Sequence, residues 1–230
     1  MRHFRALCIN RAMSRWSTPE TVQGFVQSPP NDTLLAFAAN QRQRPAPIAV
    51  DIGCGAARNA VPLAAQGWRV IGTDNSRPML AAARDRARAA GVSHALFLEA
   101  GMDHLPVADN TADLVVAHGI WNLARSSAEL RRGVAEAARV ARPGAGLFLF
   151  TFSRQTLPPD APPVAGETFV FTQFAGEPQC FLTRDEILHE LAAAGFLPDA
   201  AVPLTELNAR TGMIASRGPV IYQGAFRWDG

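Results

Sequence analysis

With 230 residues, 48% of them hydrophobic and 18% charged, the chain has the length of one large domain and the composition of a globular protein rather than a disordered one. Its 22 basic residues, every one an arginine, nearly balance 20 acidic ones, and the net charge of +2 is too small to point to a nucleic-acid surface. No apolar run approaches the roughly 18 residues of a membrane span, and the scattered Cys8, Cys54 and Cys180 offer neither a disulfide framework nor a metal-type C-x-x-C pair, so a cytoplasmic location is expected.

Residues 1–45 read as an N-terminal helical cap, with helices around PETVQGFV and NDTLLAFAANQR interrupted by Pro29 and Pro30. The opening MRHFRALCINRAMSRW is acid-free and arginine-rich, a transit-peptide composition, although an exposed basic helix accounts for it more simply. From 46 to 152, short apolar runs alternate with alanine-rich helical stretches, the pattern of parallel strands joined by crossover helices. Strands are expected from Ile48 to Ile52, Arg69 to Thr73, Ala95 to Leu98, Asp113 to His118 and Gly146 to Phe152. Ser126 with Glu129, and Thr183 with Glu186, have the spacing of capping boxes, while Gly67, Gly91 and Gly195 suit helix C-termini and Pro143 with Gly144 closes another helix. Residues 153–182 are rich in proline and glycine yet carry Phe169, Phe171 and Phe174, and read as an ordered, lid-like insertion. Residues 183–230 read as a helix followed by an antiparallel hairpin, its strands in FLPDAAVPLTEL and GPVIYQGAFRW and its loop NARTGMIASR.

The stretch IAVDIGCGAARNAVPLAAQGWRVIGTDNS, residues 48–76, joins the first two strands. Its glycines would let a backbone approach a pyrophosphate at a helix N-terminus. That dinucleotide fingerprint wants Gly or Ala in its last place, where Arg58 stands, and Asp51 would bring a carboxylate toward a phosphate. An acid ahead of the turn instead favours a cofactor that is cationic and carries no phosphate. Asp74, 23 positions after Asp51, ends the second strand and suits paired neutral hydroxyl donors; the plainer role for an aspartate there is to cap the following helix.

Asp51-Ile52-Gly53-Cys54-Gly55-Ala56-Ala57 resembles the first motif of the class I S-adenosylmethionine-dependent methyltransferases, an acid followed by x-G-x-G-x-G, with Ala57 in place of the third glycine. An alanine there is expected to take a helical backbone. The resemblance covers residues 46–152 by motif and the terminal hairpin by topology. It implies an α/β, Rossmann-like doubly wound fold, a seven-stranded and mostly parallel sheet with a terminal antiparallel hairpin, and S-adenosylmethionine as cofactor. The cofactor contacts it implies come from Asp51, Gly53, Cys54, Gly55, Asn59, Asp74, Asn75, Met79, Gly101, Met102, Asp103 and His118. Gly101 occupies the place of the aspartate that many relatives offer to the adenine amine, which leaves that task to Met102, through its backbone N–H and apolar surface, and to Asp103 by another path. Within the family, ARNAVPLAAQGWRVIGTDNS most resembles the thiopurine and tellurite-resistance type, which implies a small-molecule acceptor.

Ligands of open α/β sheets lie at the carboxyl ends of the strands, so HGIWNL puts His118, Trp121 and Asn122 beside the transferred methyl group. His118 is the candidate base and Trp121 an apolar wall, although a strand-end histidine and a tryptophan one turn on are as readily parts of a core. A small, fairly apolar acceptor is expected beneath residues 1–30, Trp16 among them, and the phenylalanine-rich insertion. The resemblance likens ELNARTGMIASRGPVIYQ to a hairpin that brings a His and an Arg to the acceptor; Asn208 stands at the His position and Arg217 matches the Arg. His3, His94, His104 and His189 lack ligand spacing, so no metal is expected, nor a nucleic acid or membrane partner, and Asp109 and Asp113 are expected to face solvent. A non-catalytic S-adenosylmethionine-binding or regulatory protein would keep every one of these cofactor residues and lack turnover. A nicotinamide oxidoreductase would have to hold its dinucleotide despite Asp51.

Overall fold

The computed structural model describes residues 15–42, 44–209 and 218–230. Five parallel strands form where alternating apolar runs require them: β1 (Ile48–Ile52), β2 (Arg69–Asp74), β3 (Ala95–Glu99), β4 (Ala112–His118) and β5 (Ala141–Phe152). They are followed by a small ribbon of β6 (Val170–Phe171) and β7 (Gln179–Cys180), and by β8 (Phe196–Pro198), β9 (Thr205–Leu207) and β10 (Ile221–Trp228). The main sheet runs β3-β2-β1-β4-β5-β10-β8, with β9 also on β10. β10 is antiparallel to β5, with Phe226 opposite Leu147 and Ile221 opposite Phe152. The terminal hairpin therefore exists, but its first strand is broken into β8 and β9, because the Asp199 side chain accepts from the Ala201 N–H and turns the chain between them.

Helices cover both faces. On one lie α2 (Asp32–Gln41), α3 (Ala60–Ala65) and α4 (Arg77–Ala89), whose Leu34, Phe37, Leu63 and Leu80 pack on Val70, Leu114 and Phe148 of the sheet. On the other lie α5 (Ser127–Val140) and α6 (Arg184–Ala193), meeting the sheet through Leu130, Val134, Ile187 and Leu191. Each of these fully buried side chains is worth about 1.5–3 kcal/mol, which is why the central strands read as nearly continuous apolar runs. Helix starts follow their caps. Thr183 and Glu186 form a complete capping box, whereas Ser126 caps the Glu129 N–H and Glu129 reaches Arg125 N instead of returning to Ser126. A short helix α1 (Pro19–Gln27), preceded by a 3₁₀ turn (Arg15–Ser17), buries none of its residues and lies against the glycine turn after β1.

Two expectations change. Residues 153–182 are anchored at two places, where Phe169, Val170, Phe171, Cys180, Phe181 and Leu182 are buried in the core shared with α5 and α6, while residues 158–168 and 172–178, Phe174 among them, stay exposed or half-buried. Nor does Asp113 face solvent; it accepts from the Ile48 N–H at 2.7 Å and from Arg44, pinning the start of β1, while Asp109 pairs with Arg139.

Candidate functional site

Strand order reverses between β1 and β4, so the carboxyl ends of these two strands border the crevice where a doubly wound sheet receives ligands. β1 delivers its chain into a tight turn in which Gly53 and Gly55 have φ of +68° and +53°. The turn is fastened by Cys54 N–H donating to Thr73 O at 2.8 Å. A Cβ on Gly53 would stand 2.6 Å from Cδ1 of Ile120, and one on Gly55 would press on the Phe25 ring at 3.2 Å, so both positions demand glycine on two counts. Ala57 departs from the helical backbone expected of it. Its φ is +59°, in the left-handed region that favours glycine, and the buried methyl occupies it at a cost of about 1–2 kcal/mol.

Asp51 sits in β1 at 2% exposure, and among the described residues its Oδ2 has no hydrogen-bond partner. Burial pushes its carboxyl up to about 7, against the pull of the Arg58 charge and with the help of Asp74. A buried carboxylate with an oxygen left open is a seat for a cationic donor. Asp74 ends β2; its Oδ2 accepts from Gly55 N–H at 2.9 Å and its Oδ1 from Ser76 N–H at 2.8 Å. These bonds and that of Asn75 pull its carboxyl down, but burial outweighs them. Each oxygen keeps a further lone pair, so the carboxylate orders the turn and remains able to accept from hydroxyls.

Other expected cofactor residues divide by where their side chains go. Cys54 is turned into the core, its Sγ packed against Gly72, so only its backbone borders the crevice. Asn59 is buried and its Oδ1 accepts from Asn31 N–H at 3.0 Å, which ties α2 to α3 rather than reaching outward. Asn75 and Gly101 are exposed at the rim, and Met79 lies beneath Gly55. Met102 is buried against α5, and Asp103 is paired with Arg132 at 3.2 Å, which fixes one of its oxygens away from any amine. Across the turn, Ser76 Oγ meets the Trp16 carbonyl at 3.1 Å and Ser17 Oγ at 3.0 Å, and Arg86 Nη2 donates to Val26 O at 2.6 Å. Trp16 packs edge-on against Phe25, so the α1 segment covers the turn itself.

His118 ends β4 and is stacked on Phe150, with ring centroids 4.1 Å apart and planes within 9°. Arg58 Nη2 donates to its Nδ1 at 3.0 Å, which assigns the ring proton to Nε2. Asn31 Nδ2 lies 3.2 Å from that Nε2 and gives one of its two hydrogens to Gln223 Oε1 at 2.8 Å, while Asn31 Oδ1 caps Leu34 N–H. Two donors thus face one another, and the Nε2 hydrogen finds no acceptor among the described residues. Burial first, and the Arg58 charge second, push the His118 pKa down to about 3. The ring is neutral, its basic nitrogen is occupied, and it does not have the properties of the expected general base.

Trp121 is 3% exposed in a 3₁₀ turn (Trp121–Leu123), packed against α5 beside a small cavity of about 20 Å³, so it belongs to the core rather than to an acceptor wall. Asn122 is likewise buried. Asn208 is exposed and donates to Pro219 O at 3.3 Å, and Arg217 lies outside the described residues. The sequence reading missed Arg58, Asn31, Gln223 and Phe25. Arg58 had a signal, a long cation where the dinucleotide fingerprint demands a small residue; Asn31 and Gln223 are 192 positions apart and meet only through the sheet order.

Residues 49–144 match a family model described as "Methyltransferase domain". A Thermus thermophilus protein named Demethylmenaquinone methyltransferase is 30% identical over 198 residues, which cover 80% of this chain and 84% of that protein. A Corynebacterium glutamicum protein of the same name is 32% identical over 138 residues, 55% of each chain. The chain spans about half the length of the first such relatives it matches. Among solved structures, a Methanosarcina mazei S-adenosylmethionine-dependent methyltransferase superposes with a TM-score of 0.61 at 22% identity, covering 82% of this chain and 95% of that one. A geranyl diphosphate methyltransferase gives 0.64 at 18% identity, covering 85% and 77%; likenesses this remote establish the fold. The names of these relatives point to quinone chemistry in those proteins rather than to the thiopurine or tellurite type.

Proposed function

Because the chain belongs to the class I S-adenosylmethionine-dependent methyltransferases, we propose that it transfers a methyl group from S-adenosylmethionine to a small, planar, quinol-like acceptor. The observation that carries this reading is the pair of acids around one glycine turn: Asp51, buried with an open oxygen, and Asp74, ordered by Gly55 and Ser76 with lone pairs to spare. The donor set fits the cofactor. Asp51 would neutralise its ammonium group, Asp74 would hold the ribose hydroxyls, and the backbone of residues 53–55 would lie along the amino-acid portion. When bound, S-adenosylmethionine supplies an activated methyl carbon: a bond forms from the acceptor as the carbon–sulfur bond breaks, and its electron pair stays on sulfur.

The chain's own contribution is to position the reactants. Phe25 packs on the glycine turn with Trp16 edge-on against it, and His118 is held at the end of β4 by Arg58 and by stacking on Phe150. Positioning supplies much of the barrier reduction in such transfers, so a dedicated base is not required. The finer likeness to thiopurine and tellurite enzymes contributes only the expectation of a small acceptor, and a quinol is preferred because the relatives' names point there. The buried free thiols Cys54 and Cys180 accord with a cytoplasmic setting. Incubation with S-adenosylmethionine and a panel of naphthoquinols, followed by product mass, tests the proposal. A methylated quinol with matching S-adenosylhomocysteine is the expected result, and cofactor binding without any methylated product would favour the regulatory reading.

A further inference from the structure

Resting on the methyltransferase reading, we infer that Arg58 receives the carboxylate at the amino-acid end of S-adenosylmethionine while Asp51 takes the ammonium, so that Arg58 is the residue that selects a zwitterionic donor. The half-buried Arg58 makes no ion pair among the described residues. Neutral acceptors hold its guanidinium: Nη2 donates to His118 Nδ1 at 3.0 Å and Nη1, at a long 3.5 Å, to Pro29 O, which leaves further N–H donors of the fork open. Asp51 and Arg58 act on one another through space, the charge of each favouring the ionised form of the other. Yet no hydrogen bond joins them among the described residues, and Asp51 Oδ2 stays open. A carboxylate and a guanidinium this strongly coupled gain by closing into a bidentate pair. Here His118 and Pro29 hold the guanidinium back, and the opening has one negative and one positive side.

Such an opening has the polarity of an α-amino acid. The ammonium and the carboxylate of the donor stand on one carbon, so a donor whose ammonium reaches Asp51 brings its carboxylate close to the same acid, where like charges repel. A cation is needed beside Asp51. Arg58 is the cation that acts on Asp51, whereas Arg86, whose charge also reaches Arg58, is engaged with Val26 O at 2.6 Å and Ala56 O at 3.4 Å. The local sequence fixes this placement. Arg58 directly follows the glycine turn, after Ala57 with its φ of +59°, and so leaves the backbone where the segment proposed to lie along the amino-acid portion ends. The nucleoside takes no part in this charge pair, because Asp74, proposed to hold the ribose, lies at the end of β2 and is bonded to Gly55 and Ser76.

The test is isothermal titration calorimetry of the full chain with S-adenosylmethionine and with decarboxylated S-adenosylmethionine, which keeps the sulfonium, the ammonium and the nucleoside and lacks only the carboxylate. The unmutated protein should bind the carboxylated donor more tightly by about tenfold or more. Arg58→Met should lose about tenfold or more in affinity for S-adenosylmethionine while its affinity for the decarboxylated donor changes by less than about threefold, and Arg58→Lys should keep part of the preference. Equal binding of the two donors by the unmutated protein would overturn the inference without recourse to any variant, and would leave the proposed function standing. Equal losses for both donors in Arg58→Met would also overturn it, since Arg58 would then support the turn rather than the carboxylate, as would no loss for either. A chain that binds neither donor would remove the proposed function and this inference together.

Discussion

Asp51 illustrates how a residue can be placed for its ligand at the expense of the ligand-free fold. Its carboxyl is pushed from about 3.8 in the unfolded chain to about 7 in the folded one, so between these values the native state holds a proton that the unfolded state has released. Stability therefore falls as pH rises through this window, by up to roughly 4 kcal/mol if the full shift is realised. Asp51→Asn removes the effect. Without cofactor, chemical denaturation should find Asp51→Asn and the unmutated chain similar near pH 4 and the variant more stable above pH 7; a constant difference across the range contradicts the assignment. His118 acts in the opposite sense, since a pKa lowered to about 3 makes the fold gain stability as pH rises toward 6.5, but this contribution is common to both proteins and cancels. Asp51 and Asp74 were legible in the sequence because their chemistry is tied to a local motif. The role of His118 was not, because its basicity is decided by Arg58, 60 positions earlier, and by the stacked Phe150.

At the scale of elements, the strands and helix ends were legible wherever period and caps coincide, as in β1, β2 and the Thr183 box. Covering elements were not. Within residues 153–182, whose composition is that of a lid, residues 169–171 and 179–182 have the burial of a core segment, with Phe181 at 0% exposure stacked on Phe152 at 5.5 Å. Composition records which residues are apolar and cannot record which side of the sheet lacks volume. Phe181→Ala should therefore cost about 3–5 kcal/mol in an unfolding titration, where a residue of an exposed lid would cost little. The α1 segment has the reverse character: it buries none of its side chains and rests on the turn through Phe25, Ser17 and the Val26 carbonyl. Such an element opens at low cost and is the part of the cap suited to gating. In hydrogen exchange, amides of residues 20–27 should slow by about tenfold or more on addition of S-adenosylhomocysteine, while those of residues 169–171 and 179–182 stay protected in both states. Equal exchange of α1 with and without cofactor would make it a static surface.

For the whole molecule, function follows from the sheet order. Because β1 and β4 are neighbours but continue to opposite sides, the acids of β1 and β2 and the His118–Arg58 pair at β4 converge from positions 51, 58, 74 and 118 on one crevice. This crevice is built for a cationic, phosphate-free nucleoside, which isothermal titration calorimetry of the full chain with S-adenosylmethionine, S-adenosylhomocysteine and NAD would check. One site per chain is expected for the first two, with a loss of about 3 kcal/mol or more in Asp74→Ala and no heat from NAD at matched concentration. Binding of NAD as strong as that of S-adenosylmethionine, or an unchanged affinity in Asp74→Ala, would contradict it.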